Sequence, residues 1–178
     1  AALATELAYG TLRAQGQLDA VLAACVDRPL AQVDPPVLDV LRLGAYQLLR
    51  TRIPTHAAVS ATVDVARTIL SAGPASFTNA VLRKVAAQDL DAWLLQLAPA
   101  DPMEALALRT AHPRWIAQSF ADALRGDLEG TAAALTADDE RPHVHLVART
   151  MSREQLVADS GGTAAPWSPH GVRLESGG

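Results

Sequence analysis

The chain has 178 residues, 49% hydrophobic but only 4% aromatic, with a formal net charge of −4. That length allows one domain, or one and a piece, and the alanine-rich composition favours close-packed helices over a sheet sandwich. The charge excludes a generic polyanion binder, and the single cysteine excludes an internal disulfide framework and fits a reducing cytoplasm. No uncharged apolar run approaches about 18 residues, so no membrane-spanning helix is expected.

The chain starts without Met and already in helical phase. Leu3, Leu7 and, beside them, Ala4, Ala8 and Leu12 line one side, and no cap precedes them. An upstream segment is therefore expected, although no basic-then-apolar signal segment opens the chain. Gly16 marks a break or bend. Leu18, Val21, Leu22, Cys25 and Val26 continue an apolar stripe, and 27–33 reads as a loop. Cys25 lies on that stripe with no activating group placed beside it, which makes it a core residue rather than a nucleophile.

Residues 41–84 organise the rest. Asp34-Pro35-Pro36 opens a helix with a cap and prolines in its first turn. Val37, Leu41, Gly44 and Leu48 run down one side, flanked by Val40, Ala45 and Leu49; Asp39, Arg42, Tyr46 and Arg50 fall on the other. Gly44 costs about 1 kcal/mol against Ala inside a helix, so its use is close approach by another helix. Pro54 and Thr55 start the next helix. Val59, Val63, Ala66 and Leu70, with Ala58, Thr62, Val65 and Ile69, make a wide apolar stripe, opposite His56, Ser60, Asp64, Arg67 and Ser71. Gly73-Pro74 is expected to end it. A third helix, from about Ser76, buries Phe77, Val81 and Val85 and shows Arg83 and Lys84 near its end. Leu41, Leu48, Val63 and Phe77 are expected in one common core.

A short helix follows over 91–98, carrying Leu94, Leu95 and Leu97. Asp101-Pro102-Met103-Glu104 then reads as a cap, a proline at the first helical position and a carboxylate at the third. Pro113 breaks that helix and starts another, with Ile116, Phe120 and Leu124 inward and Trp115 wedged between the two. Gly126 precedes a last helix, 127–137. His112 has no Ser, Cys or carboxylate pair arranged around it, so a capping or packing role is expected. At 138–142 the alanine-rich pattern stops. Residues 143–148 alternate like a strand, Ser152 caps a short helix that Gly161-Gly162 ends, and 172–174 reads as a second strand. His143 and His145 are spaced as some metal ligands are, but no further ligand accompanies them, and exposed strand residues are expected. The fold class is thus all-α: a helical bundle over 1–137, followed by a short α/β segment over 138–178 that begins a second domain.

Charge is unevenly spread. Residues 35–88 hold six basic residues against two acidic ones, whereas 99–178 hold seven against eleven. A basic middle in an acidic chain is what a local nucleic-acid contact looks like.

Several stretches resemble a known family. LRLGAYQLL (41–49), IPTHAAVSATVDVA (53–66) and FTNAVLRK (77–84) are similar to the NusB-like N-terminal region of the Sun/Fmu/RsmB ribosomal RNA methyltransferases. HPRW (112–115) resembles that family's HP-x-W element, and the run from LATELAYGTLR (3–13) to the chain end can be laid along its pattern. Arg141 and Pro142 resemble the junction that meets the methyltransferase part, but Val147 and Arg149 stand where Arg and Asn are common there. The resemblance implies a NusB-like bundle that contacts ribosomal RNA, packs with its own C-terminal methyltransferase domain and works in the cytoplasm. The charge pattern itself offers an RNA-binding set: Arg42, Arg50, Arg52, Arg67, Arg83 and Lys84 come from three consecutive helices and their joints, whose polar sides are expected to merge into one basic patch, with Tyr46 and His56 available to stack on unpaired bases.

Two constellations needed for catalysis are not found in the sequence. Methyl transfer from S-adenosylmethionine needs a glycine-rich turn after a strand and an acidic residue for the ribose. Cytosine C5 chemistry needs a thiolate to attack C6. The family's catalytic cysteines lie in a later domain, and Cys25 matches neither. The chain is therefore expected to be the non-catalytic front end of an S-adenosylmethionine-dependent ribosomal RNA 5-methylcytosine methyltransferase, itself holding no cofactor and no metal. A free-standing NusB-type antitermination factor, joining RNA to protein partners, remains open. So does a purely structural cap on the catalytic domain.

Overall fold

The computed structural model describes residues 2–140 and 143–174. It divides into one unit ending at Asp139 and a second from Glu140 onward. The junction pair Arg141 and Pro142 lies outside the described residues.

The first unit is all helix. α1 (Ala2–Arg13) and α2 (Gln15–Cys25) join at Ala14. The break thus falls before Gly16, which sits in the first turn of α2 in open space. The apolar row of α1 stays largely uncovered: Leu3 is 59% and Leu12 66% exposed. α1 meets the bundle instead through Gly10 and Thr11, where the backbone comes close to Tyr46.

A 3₁₀ turn (Leu30–Gln32) leads to α3 (Pro35–Arg50), α4 (Thr55–Ile69) and α5 (Ala72–Val85). α4 stops at Ile69, and Gly73-Pro74, expected to terminate it, lies in the first turn of α5. Proline is tolerated there because that turn's N–H groups have no helical partner. The two-residue link makes α4 and α5 a helical hairpin. Gly44 of α3 does what its position implied. A Cβ there would lie 2.6 Å from Leu82 Cδ1 and 3.0 Å from Thr62 Cγ2, so glycine lets α3 close on both neighbours. Gln47 was placed on no face by the periodicity, yet it is buried. Its amide N–H₂ donates to Leu43 O and to Thr62 Oγ1, and Thr62 donates in turn to Ala58 O, so the donors of the pair are all used.

α6 (Leu90–Gln96), α7 (Pro102–Arg109), α8 (Arg114–Ala123) and α9 (Leu128–Asp139) complete the unit. Asp89 and Asp101 each accept a backbone N–H from three residues on, at 2.8 Å. In α6 the buried residue is Trp93, not the leucines: its indole N–H donates to Val85 O, while Leu95 is exposed. Trp115 is not a wedge. It is 69% exposed, and the small Ala117 and Ala121 take the inward face of α8, allowing close contact without it.

Burial corrects the expectation of one core. Leu18, Val21, Leu22, Leu41, Val81, Leu82, Val85 and Trp93 form the main cluster. Leu106, Ala107, Ala117 and Leu135 form a separate one in α7–α9. Leu41 is fully buried, but Leu48, Val63 and Phe77 are half-buried. Val65 and Ile69, placed on the wide stripe of α4, are exposed, since only Ala58, Thr62 and Ala66 are covered.

In the second unit β1 (Val144–Val147), α10 (Arg153–Ser160), β2 (Thr163–Ala164) and β3 (Gly171–Leu174) make an antiparallel sheet of order β1-β3-β2 with one helix. Leu146 pairs with Val172, which is fully buried. Ser152 caps α10 and Gly161 ends it at φ +67°. β2 is too short to show as alternation in the sequence.

Candidate nucleic-acid interface

The structure does not merge the eight basic and aromatic candidates into one patch. It sorts them by what they already hold. Arg42 donates from Nε and Nη2 to the two carboxylate oxygens of Asp19, at 2.7 and 2.8 Å, and from Nη1 to Asp39. It is a bidentate clamp between α2 and α3. Tyr46 is 5% exposed, and its hydroxyl donates to Glu6 at 2.7 Å. Burial, followed by that carboxylate, pushes its pKa up to about 12. It cannot stack on a base, because its ring already lies against the α1 backbone at Gly10.

Arg50 is not on an exposed face either. It donates from Nε and Nη2 to Gln17 Oε1, at 2.9 and 2.6 Å, and from Nη1 to Asp139 at 2.6 Å. Gln17, itself buried, donates to Leu108 O. The ends of α2, α3, α7 and α9 are tied together there. Lys84 donates to Cys25 O at 2.9 Å, capping the last turn of α2. These corrections share one cause. Helical spacing separates a polar side from an apolar one, but it does not say whether a neighbouring element covers the polar side.

Five candidates remain on the surface, Lys84 among them. Arg67 pairs with Asp64 at 2.7 Å, both side chains being well exposed. Arg52, His56 and Arg83 are exposed, with no hydrogen-bond or ion-pair partner among the described residues. His56, Arg67 and Arg83 line a groove of about 880 Å³ between α4 and α5, with Ser60, Asp64, Ser76 and Asn79 on its walls and Val59, Val63 and Ala75 among its lining. Along the hairpin His56 and Arg83 lie toward the end away from the turn, and Asp64 and Ser76 lie nearer to it. Arg52, on the link between α3 and α4, belongs to the His56 end. That end is cationic, and the middle is polar over an apolar floor. Asn79 was missed as a site residue. Its signal was a carboxamide in mid-helix, where a residue so prone to bond its own backbone is disfavoured without a use.

NusB, described as the NusB family, matches residues 1–87, the span that holds α1 to α5 and both walls of this groove. These residues form a NusB domain. Relatives extend the match beyond it. A Mycobacterium tuberculosis protein, provisionally named a methyltransferase, is 49% identical over 182 residues, covering 99% of this chain and 40% of the relative. A Bacillus subtilis protein, provisionally named ribosomal RNA small subunit methyltransferase B, is 33% identical over 98% of this chain and 37% of its own length. The Pseudomonas syringae ribosomal RNA small subunit methyltransferase B is 36% identical over 86% of this chain and 32% of its own. The chain thus spans about two-fifths or less of these relatives' length.

The other chemistry-bearing residues are structural. Cys25 is buried, and burial pushes its thiol pKa up, the opposite of what a nucleophile needs. His112 donates from Nδ1 to Thr110 O at 2.6 Å and sets Nε2 3.1 Å from the Asp138 carboxylate, tying the α7–α8 turn to α9. His143 and His145 are exposed, and His145 Nδ1 lies 2.9 Å from His143 O. Among the described residues no group of three or more His, Cys, Asp and Glu gathers as a metal site. The Gly161-Gly162 turn does not fit S-adenosylmethionine. It follows a helix and enters β2, and a Cβ on Gly162 would lie 2.7 Å from Arg173 O, so that glycine serves strand packing. No helix among the described residues is long and apolar enough to cross a membrane.

Proposed function

We propose that this chain is the RNA-engaging part of an S-adenosylmethionine-dependent ribosomal RNA 5-methylcytosine methyltransferase, and that the α4–α5 groove is where its NusB domain meets RNA. The observation that carries the reading is the set of unpartnered donors, Arg52, His56 and Arg83, toward one end of a groove in which Asn79 is also without a partner among the described residues. A cation already bound to a carboxylate must give up that partner to reach a phosphate; these need not. The relatives' names supply the reaction class, and their greater length is consistent with a catalytic domain outside the residues given. The same comparison makes a free-standing antitermination factor the weaker reading. In the longer protein the chain's partners are ribosomal RNA and its own methyltransferase domain.

Titrating the chain with ribosomal RNA fragments at several salt concentrations tests this. Neutralised phosphates make affinity fall with salt, with a slope of about −0.7 for each phosphate on a single strand. Replacing Arg52 and Arg83 by Ala weakens binding and flattens the slope by about 0.7 for each phosphate no longer neutralised, with the unfolding midpoint unchanged. Identical affinity and slope in parent and variant would overturn the assignment.

A further inference from the structure

The uncommitted end of the groove accounts for phosphate binding, but not for its middle. There Asp64 stands on one wall with Oδ1 held by Arg67 Nη1 and Oδ2 without a hydrogen-bond partner among the described residues. Asn79, half-buried on the other wall, has no partner for its carboxamide among the described residues. Of the apolar lining, Ala75 is buried, and Val59 and Val63 are half-buried. A carboxylate at this level repels phosphate, so the backbone of a bound strand is kept to the cationic end and a base is what the middle can accept.

We infer that the middle of the groove reads an unpaired guanine. This rests on the RNA-binding reading above and names what that site selects. Donor pattern decides between the bases. A carboxylate accepts only, so the edge it reads must present adjacent donors. On its Watson–Crick edge guanine presents N1–H beside N2–H₂, which a carboxylate can take together. Uracil presents N3–H between two carbonyl oxygens, and adenine places the N1 acceptor beside its amine; both set a lone pair against Asp64. Cytosine offers a single amine beside N3, again an acceptor. Guanine O6, next along the edge, takes a hydrogen from the Asn79 amide, while the ring lies on Val59, Val63 and Ala75. Arg67 keeps Asp64 turned along the groove wall. The lining residues of α5 run from Ala72 to Arg83, a rise of about 16 Å, so a nucleotide whose phosphate is held at Arg83 turns its base along the groove toward Asp64.

Short single-stranded RNAs with one central position varied among G, A, C, U and inosine in a uridine context separate the outcomes by fluorescence anisotropy with the chain as given. The G oligomer binds about ten-fold tighter than the A, C and U oligomers, the discrimination expected of a well-placed bidentate pair. Inosine, which keeps N1–H but lacks the N2 amine, falls between. Asp64→Asn brings the G and A affinities within about two-fold of each other, and Asn79→Ala weakens the G oligomer selectively while leaving the salt slope unchanged. Equal affinity for all five oligomers, with binding still salt-dependent, sinks the guanine reading and leaves the RNA-binding one standing. A preference for G that survives Asp64→Asn also sinks it. No binding of any oligomer or of ribosomal RNA overturns both.

Discussion

Arg50→Ala separates a surface contact from a structural one. Arg50 and Asp139 have side chains only 18% and 19% exposed, and Arg50 also supplies both hydrogen bonds accepted by Gln17 Oε1. Truncation strands a mostly buried carboxylate and leaves a buried amide oxygen with no donor. Removing one member of a buried pair costs about 3–5 kcal/mol. The residual exposure lets water reach Asp139 and lowers that figure, and the orphaned amide oxygen adds about 1 kcal/mol at the low end of its range. A loss of about 2–4 kcal/mol is therefore expected. Urea unfolding followed by far-ultraviolet circular dichroism measures it, as a lower midpoint at unchanged slope. Arg50→Lys recovers only part, since one ammonium cannot reproduce the fork that spans Gln17 and Asp139. If Arg50→Ala unfolds with the parent while binding RNA more weakly, the structural role is refuted, because Arg50 would then be facing solvent and phosphate.

Further outcomes follow from α1 and its contact with Tyr46. Because the folded-state pKa of Tyr46 is raised, to about 12, its contribution is fully present below about pH 10 and is lost as pH rises from there through 12. Unfolding free energy should drop over that window, and Tyr46→Phe should flatten the drop; an unchanged profile in the Phe variant refutes the assignment. Gly10→Ala places a methyl 2.0 Å from the Tyr46 hydroxyl, so the buried ring must move. Overpacking of this kind costs about 1–3 kcal/mol, more than the roughly 1 kcal/mol that Ala gains in helix propensity. A Gly10→Ala variant more stable than the parent in the same urea assay would show that α1 does not dock as described.

Much of this molecule was legible in one dimension. Caps and breakers act within a few residues, so Asp101, Ser152 and Gly161 mark element ends in the sequence as they do in the structure. The close approach at Gly44 was legible for a related reason, since a glycine in an otherwise good helix has few other uses. The NusB likeness was carried by stretches whose order and spacing are themselves sequence properties, and residues 1–87 match that family. What tertiary structure decided was which polar side chains are already spent. Arg42 and Arg83 look alike along the chain, yet one is held by Asp19, brought to it from α2, and the other has no such partner among the described residues. Tyr46 and Trp115 exchange their expected places for the same reason. A ring is buried when the facing backbone is a glycine, and excluded when alanines already let the helices close. Periodicity orients a side chain about its own helix axis; only the packing of a second helix determines whether that direction leads to water, to a carboxylate or to a groove.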